Sequence, residues 1–395
     1  MHILVYKNEL CWPRRSGHDV HTYEMMRAWN ALGAKISLAT STNIQPKATE
    51  GLLLESAVNL SVVYSGKVNN FTGNWLPCRF IRYWGISQEQ VQGIADLAEE
   101  IRADAVVSSG LEALPFLYRI RNCVRVWYAA DEWTWHHLSL VRFREPSTFS
   151  EVKPAIIKGL YERAFRSFCD RTWVVSNADK RAMRVISGVK NVDVIPNGVD
   201  HNYFHPFSDV SESEKSLVFW GRLDFEPNIQ ALQWFCRNIW PVLYAKHSQA
   251  VFTIIGAKPI ADIYDLGKMP GVRVLPDLDD LRSEVAKNQV VVLPFISGGG
   301  IKNKLLEAAA IGKPVVCSKR AASGLYGILP AIVAGSKLEW IKGIEMLWCN
   351  RVERESLGSS ARNWVQTEHT WEKAASDALM SIQKSFEQHF KNNQR

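Results

Sequence analysis

The chain has 395 residues, enough for two domains of ordinary size at roughly 150 residues per domain. Its composition, 47% hydrophobic and 22% charged, excludes a mostly disordered protein. The formal charge of +7 is spread evenly, with 24 basic and 20 acidic residues before position 205 and 23 and 20 after it, which excludes a basic tail or arm.

Seven scattered cysteines, at 11, 78, 123, 169, 236, 317 and 349, show no close pairing and no ligand spacing. They read as reduced buried thiols in a cytoplasmic protein without structural zinc. The start, Met1 to Tyr6, meets Lys7 too early for a signal peptide, and the apolar run Val290–Ile296 is far too short to span a membrane. Fifteen tryptophans are about three times the roughly five expected by general usage. A flat indole with one donor also suits a membrane interface or a ring-shaped ligand; Trp133 and Trp135, with Trp12 as a weaker third, are the candidates for a ligand, and the other twelve are assigned to cores.

Along the chain, short apolar runs alternate with amphipathic stretches, the pattern of parallel-sheet α/β architecture. Strands are predicted at 2–6, 35–40, 60–64, 105–108, 124–128 and 172–176. Helices are predicted at 19–32, ending at Gly33 as C-cap, and at 155–168. The turn-rich stretch from Pro196 to Asp209 marks the domain boundary, placed after residue 205. A second series follows, with strands at 216–220, 251–256, 272–275, 290–294 and 314–318. Its helices are expected at 228–245, 301–311 and 337–349, with a last one at 372–389. The fold class predicted is α/β, two Rossmann-like halves with a cleft between them.

The segment Ser297-Gly298-Gly299-Gly300-Ile301-Lys302-Asn303-Lys304-Leu305-Leu306-Glu307 leaves an apolar strand and opens a helix. Glycines let backbone approach a ligand, and the free amides of a first helical turn attract anions. Lys302 and Lys304 oppose the helix dipole there unless an anion is bound. These features point to a diphosphate; the plain alternative is a loop whose lysines face water. The Walker ending and the dinucleotide fingerprint are both absent. Gly221-Arg222-Leu223-Asp224 ends the second half's first strand, where ligands of open parallel sheets bind. Arg222 would clamp a phosphate or, equally, pair with Asp224 or Glu226.

With Gly312-Lys313-Pro314-Val315-Val316, Val174 to Asp179, and Val194-Ile195-Pro196-Asn197-Gly198-Val199-Asp200, these segments resemble the family 4 glycosyltransferases over nearly the whole chain. The resemblance implies the GT-B fold, with an acceptor-binding domain at 1–205 and a nucleotide-sugar domain at 206–370. Residues 371–395 are expected to form a helix packing back on the first domain. It further implies a nucleotide diphosphate sugar as donor, retention of configuration, and no metal or other cofactor. The acceptor class is a glycan, lipid-linked or small-molecule hydroxyl. Arg222 and Lys304 would stabilise the leaving diphosphate, Gly299 to Lys304 (Gly300, Ile301, Lys302, Asn303) would cradle it, and Glu307 would hold ribose. The alternative for Glu307 is a salt bridge to Lys304.

Three departures from the family pattern stand out. Gly299 occupies the place of the first acid of a Glu-x7-Glu pair. Phe225 to Asn228 lack the lysine often found after Gly-Arg. Asp131 stands where a histidine often follows a first-domain strand. Asp131 is the candidate at the reaction centre, with a helix-capping role as the alternative. Gly17 fits the family's first glycine loop. Arg14 and Arg15 are candidate contacts to acceptor or phosphate, or solvated loop charges. His18, His21, His136 and His137 read as ordinary surface or supporting histidines.

From Arg142 to Arg184 ten basic residues face five acidic ones. That stretch reads either as a docked helix with a charged outer face or as peripheral contact at the inner face of a membrane. Nucleic acid is excluded as a partner, since no aromatic-basic module appears. The rival functions are a nucleotide-sugar epimerase or hydrolase, and a catalytically silent nucleotide-sugar-binding protein.

Overall fold

In the computed structural model of the chain, the residues described are 1–14, 17–63, 75–130, 133–138, 146–298, 300–325 and 327–393. They divide into two compact units, Met1–Asn197 with Trp371–Arg395, and Gly198–Thr370. The division falls at Asn197/Gly198, earlier than residue 205. The turn formers after Gly198 belong to the second unit, where Val199 bridges to Thr370.

The first unit is a parallel sheet of β1 (His2–Lys7), β2 (Lys35–Thr40), β3 (Leu54–Asn59), β4 (Ala105–Ser109), β5 (Val124–Ala130), β6 (Arg171–Val174) and β7 (Val192–Val194). Their order is β3-β2-β1-β4-β5-β6-β7. Central strands are apolar on both faces because helices cover both, whereas β3 at the edge alternates between exposed and half-buried residues. That alternation is why the strand predicted at 60–64 is misplaced. Leu54–Asn59 is the strand, and Leu60–Val63 is a turn of helix that inserts the buried Leu60.

Helix α1 (Gly17–Ala31) ends as foreseen at Gly33, whose φ of 81° completes the cap while Ala34 N donates to Trp29 O. Helices α2 (Leu76–Tyr83), α3 (Gln88–Glu100) and α4 (Val152–Phe165) complete the layers used below. The C-terminal helix, Trp371–Asn393, lies on this unit. The Trp173 indole donates to Ser381 Oγ at 2.9 Å, Arg171 Nε to Ser385 Oγ at 2.7 Å, and the Trp29 indole to Ala375 O at 3.3 Å. Among the twelve tryptophans assigned to cores, Trp75 and Trp84 are instead exposed.

The second unit contains β8 (Ser216–Trp220), β9 (Val251–Gly256), β10 (Val272–Pro276), β11 (Val290–Leu293), β12 (Val315–Ser318) and β13 (Ile332–Ala334), all parallel, in the order β10-β9-β8-β11-β12-β13. The helix predicted at 228–245 is two helices, α5 (Glu226–Asn238) and Trp240–Lys246, because Pro241 starts a new first turn. Helix α6 (Asn303–Ile311) follows β11, and α7 (Arg351–Glu368), polar and without a strong sequence signal, packs on α6.

Glu212 ties the start of this unit to its helices. Its Oε1 lies 2.7 Å from Lys313 Nζ and its Oε2 3.2 Å from Arg354 Nε, both cations being buried. Removing the carboxylate charge leaves two cations facing each other out of water. Glu212→Gln is therefore expected to lower stability by about 1–3 kcal/mol, read as a shift of the urea midpoint at unchanged slope.

Candidate active site

In a doubly wound sheet, strands on either side of the point where the order reverses diverge beyond their C-terminal ends and leave a crevice. In the second unit that point lies between β8 and β11. The two segments singled out from sequence, Gly221–Asp224 and Ser297–Lys304, are the continuations of these two strands, and the fold brings them together.

Gly221 has a φ of 144°, a conformation that glycine tolerates best. A Cβ on it would stand 2.3 Å from Lys304 Cε and 2.7 Å from Lys304 Nζ, so the missing side chain makes room for the lysine. The Lys304 ammonium lies 6.0 Å and 5.9 Å from the ring centroids of Phe219 and Phe295, and makes no hydrogen bond or ion pair among the described residues. Burial lowers its basicity, and Glu307 only partly offsets this. A buried cation without a partner is costly in the empty site and favourable once an anion arrives.

Gly298 (φ 86°) and Gly300 (φ 65°) turn the chain into α6, and Ile301 is buried beneath the turn. The N-cap residue Lys302 makes no side-chain cap hydrogen bond, and the first-turn amides of such a helix start attract anions. Lys302 Nζ lies 5.3 Å from the Phe295 ring. One turn along α6, Glu307 Oε2 accepts the Trp220 indole N–H at 2.7 Å. The salt bridge to Lys304 considered from sequence does not form, and Trp220, not singled out beforehand, is the partner. Burial pushes the pKa of Glu307 above the usual carboxylate value, with the indole and Lys304 pulling it back. Arg222 makes the bidentate pair with Asp224, at 2.9 and 3.0 Å, while its side chain stays 49% exposed. Asn228 Nδ2 donates to Arg222 O at 2.7 Å and fixes the turn.

The first unit holds a second cluster at its own switch point, between β1 and β4. Lys7 Nζ lies 3.1 Å from Asp19 Oδ1 and 3.3 Å from His18 Nδ1. An ammonium only donates, so His18 Nδ1 accepts and the ring proton sits on Nε2. Tyr128 stacks on His21 at 4.0 Å and on His18 at 4.9 Å. His21 is therefore buried and His18 half-buried beside it, the supporting alternative rather than the surface one. Burial, reinforced by Lys7, drops His18 to about 3 and keeps His21 well below its usual value, so both are neutral. The one sequence signal for this cluster was the i, i+3 spacing of the two rings on α1.

Gly17 opens α1 and is exposed. Arg14 is not a freely solvated charge: its guanidinium stacks 3.5 Å from the Tyr23 centroid and 4.9 Å from that of Trp12, and burial weakens its basicity. Arg15, Asp131 and Gly299 lie outside the described residues. Trp133 and Trp135 belong to the helix Trp133–Leu138, with side chains outside the description. Among the described residues no group of three or more His, Cys, Asp or Glu is arranged to hold a metal ion.

Residues 15–203 match the family described as Glycosyltransferase Family 4, and residues 214–348 match Glycosyl transferases group 1. No curated protein sequence matches significantly. Among solved structures, the chain is similar to sucrose-phosphate synthase from Thermosynechococcus elongatus, at 14% identity and a TM-score of 0.69 over 99% of each chain. It is similar to Anabaena HepE in complex with UDP and glucose, at 14% identity and 0.65, covering 96% of this chain and 99% of that one. A variant of TarM from S. aureus, in a complex that includes UDP, matches at 12% identity and 0.67 over 96% and 99%. Two matched families along the chain and two parallel α/β units of this topology give one conclusion: the protein belongs to the GT-B glycosyltransferases of the family 4 type.

Proposed function

We propose that the protein is a retaining glycosyltransferase that takes its sugar from a uridine diphosphate donor, without a metal ion, and passes it to an acceptor hydroxyl. The observation that carries this reading is the unpaired Lys304 ammonium beside Gly221, at the uncapped start of α6 and one turn before Glu307. UDP is favoured among nucleotides because HepE and TarM are both described in complexes with it.

In the transfer, the bond between the anomeric carbon and the β-phosphate oxygen breaks while the acceptor oxygen bonds to the same face of the sugar, its proton passing to the departing phosphate oxygen. The charge that grows on the departing diphosphate needs cations and amides already in place. Lys304 and the first-turn amides of α6 supply them, and Arg222 exchanges Asp224 for phosphate. Glu307 keeps Oε1 for the ribose hydroxyls while Oε2 holds the indole of Trp220. Asp131, the first carboxylate after β5, is proposed to face the reacting sugar, and no general base is assigned.

Glu307→Ala is expected to weaken UDP binding at least tenfold, since two hydrogen bonds to a carboxylate are lost, each worth about 1.5–3 kcal/mol. Titration calorimetry reads this directly. If UDP, GDP and ADP all fail to bind the intact protein, the transferase reading falls. Release of nucleoside diphosphate that depends on an added acceptor separates a transferase from an epimerase, a hydrolase or a silent binder.

A further inference from the structure

Helices α2 and α4 pack side by side on the outside of the first unit, joined by Phe80 against Tyr161 at 5.1 Å, Trp84 against Tyr161 at 6.0 Å and Trp75 against Phe168 at 5.9 Å. On its other flank α4 meets the turn Met183–Ser187, where Ser187 Oγ donates to Glu162 Oε2 at 2.5 Å. Between these flanks α4 presents an outward stripe, spaced i, i+4, i+7, of Ile156, Leu160 and Arg163, all exposed.

The neighbours extend the stripe on both sides. α2 contributes Tyr83, 71% exposed, and the adjoining Trp84, together with exposed Arg79. The turn contributes Val185, 83% exposed, beside Arg184. Large apolar groups in open water across three adjoining elements are unusual for a surface with no partner. The charges around them are sorted. α2 carries two arginines and no acid. Of the described acids of α4 and its start, Glu162 is buried and bonded to Ser187, and Glu151 is paired with His137 at 2.6 Å. An aromatic-aliphatic stripe with the exposed Arg79, Arg163 and Arg184 beside it is complementary to the anionic headgroup layer of a bilayer. There Trp and Tyr rings lie at the polar boundary and Arg meets phosphate.

We infer that the α2–α4 face, with the turn at 183–187, docks the enzyme on an anionic lipid bilayer, with Tyr83, Trp84, Ile156, Leu160 and Val185 entering the interface and Arg79, Arg163 and Arg184 holding headgroup phosphates. No described helix is long and apolar enough to cross a membrane, so the attachment is peripheral and reversible. The inference stands on this face alone and not on the donor site.

The test is flotation of the full chain with vesicles of phosphatidylcholine, and of phosphatidylcholine with an equal part of phosphatidylglycerol. The wild type is expected to partition at least tenfold more onto the anionic vesicles, less so as salt rises. Ile156→Glu/Leu160→Glu and Arg163→Glu/Arg184→Glu are each expected to remove at least nine-tenths of that partition. All four positions are exposed, and unchanged stabilisation by UDP checks that the variants are folded. Equal partition onto both vesicle types, or variants that float like the wild type, overturns the inference. A dimer of this chain, seen by sedimentation and dissolved by the same substitutions, overturns it as well, because a second copy would then cover the face. Failure of UDP to stabilise even the wild type sinks the donor reading and leaves the vesicle result standing.

Discussion

Replacing Lys304 with methionine is expected to abolish donor binding while making the empty protein more stable. The ammonium lies about 6 Å from the Phe219 and Phe295 rings and makes no ion pair among the described residues, and Glu307 offsets its burial only in part. Methionine keeps the stem and removes a desolvated charge whose burial costs about 1–3 kcal/mol. The same ammonium would offset charge on the leaving diphosphate, an interaction worth about 3–4 kcal/mol and therefore two to three orders of magnitude in kcat/KM. The signs are opposite because, under the proposed role, the ammonium is stabilised only when the charged donor is bound. The pH dependence follows. Burial lowers the lysine in the folded chain, so the folded state binds this proton less tightly than the unfolded chain does. The penalty is fully present below the folded value and disappears as pH rises from there toward the ordinary lysine value near 10.5. The wild type without nucleotide is thus expected to gain stability over that window relative to Lys304→Met. Melting temperatures with and without UDP across pH 7 to about 10 read both effects. A variant that keeps the full UDP shift refutes the role of Lys304.

The two segments of the proposed donor site were legible in sequence because their signals are local: a strand, then glycines, then cations where a helix dipole repels them. Topology alone then brings them together, since β8 and β11 are neighbours across the reversal of strand order. What sequence did not show was pairing between residues far apart. Glu307 has Lys304 three residues before it, yet its partner is Trp220, eighty-seven positions away, because strand and helix are stacked there. The His18–Tyr128–His21 stack was left open for the same reason: sequence allowed surface or supporting histidines, and only the packing of Tyr128 on α1 decides for the latter. Trp75 and Trp84 failed in the opposite direction. Their residue type suggested core, but they flank the two ends of α2, where Phe168 and Tyr161 cover only one side of each ring. The edge strand β3 carried too weak an apolar signal to outcompete the adjacent Leu60–Tyr64 run.

A single methyl group at Gly256 is expected to cost more than any surface change in the second unit. A Cβ there would stand 1.7 Å from the carbonyl oxygen of Gly221 and 2.8 Å from its carbonyl carbon. Neither group is the end of a flexible side chain. Gly221 N is already bound to Ile255 O at 2.9 Å, and Leu223 N to Ala257 O at 2.8 Å, so relief requires prying β8 from β9 in the middle of the sheet. Gly256→Ala is therefore expected to destabilise by about 3–5 kcal/mol, the range of severe backbone clashes and broken cores. Gly33→Ala supplies the comparison. Its φ of 81° disfavours alanine, but no atom lies within 4 Å of the added methyl, so only the conformational cost of about 1–2 kcal/mol applies. The difference between the two substitutions isolates the clash. It also reaches function, because any shift of Gly221 moves the backbone that borders the Lys304 ammonium. Whatever fraction of Gly256→Ala remains folded is expected to respond less to UDP than the wild type, whereas folded Gly33→Ala responds fully. Urea unfolding within 1 kcal/mol of wild type for Gly256→Ala would show that β8 and β9 are not held as closely as their hydrogen bonds require.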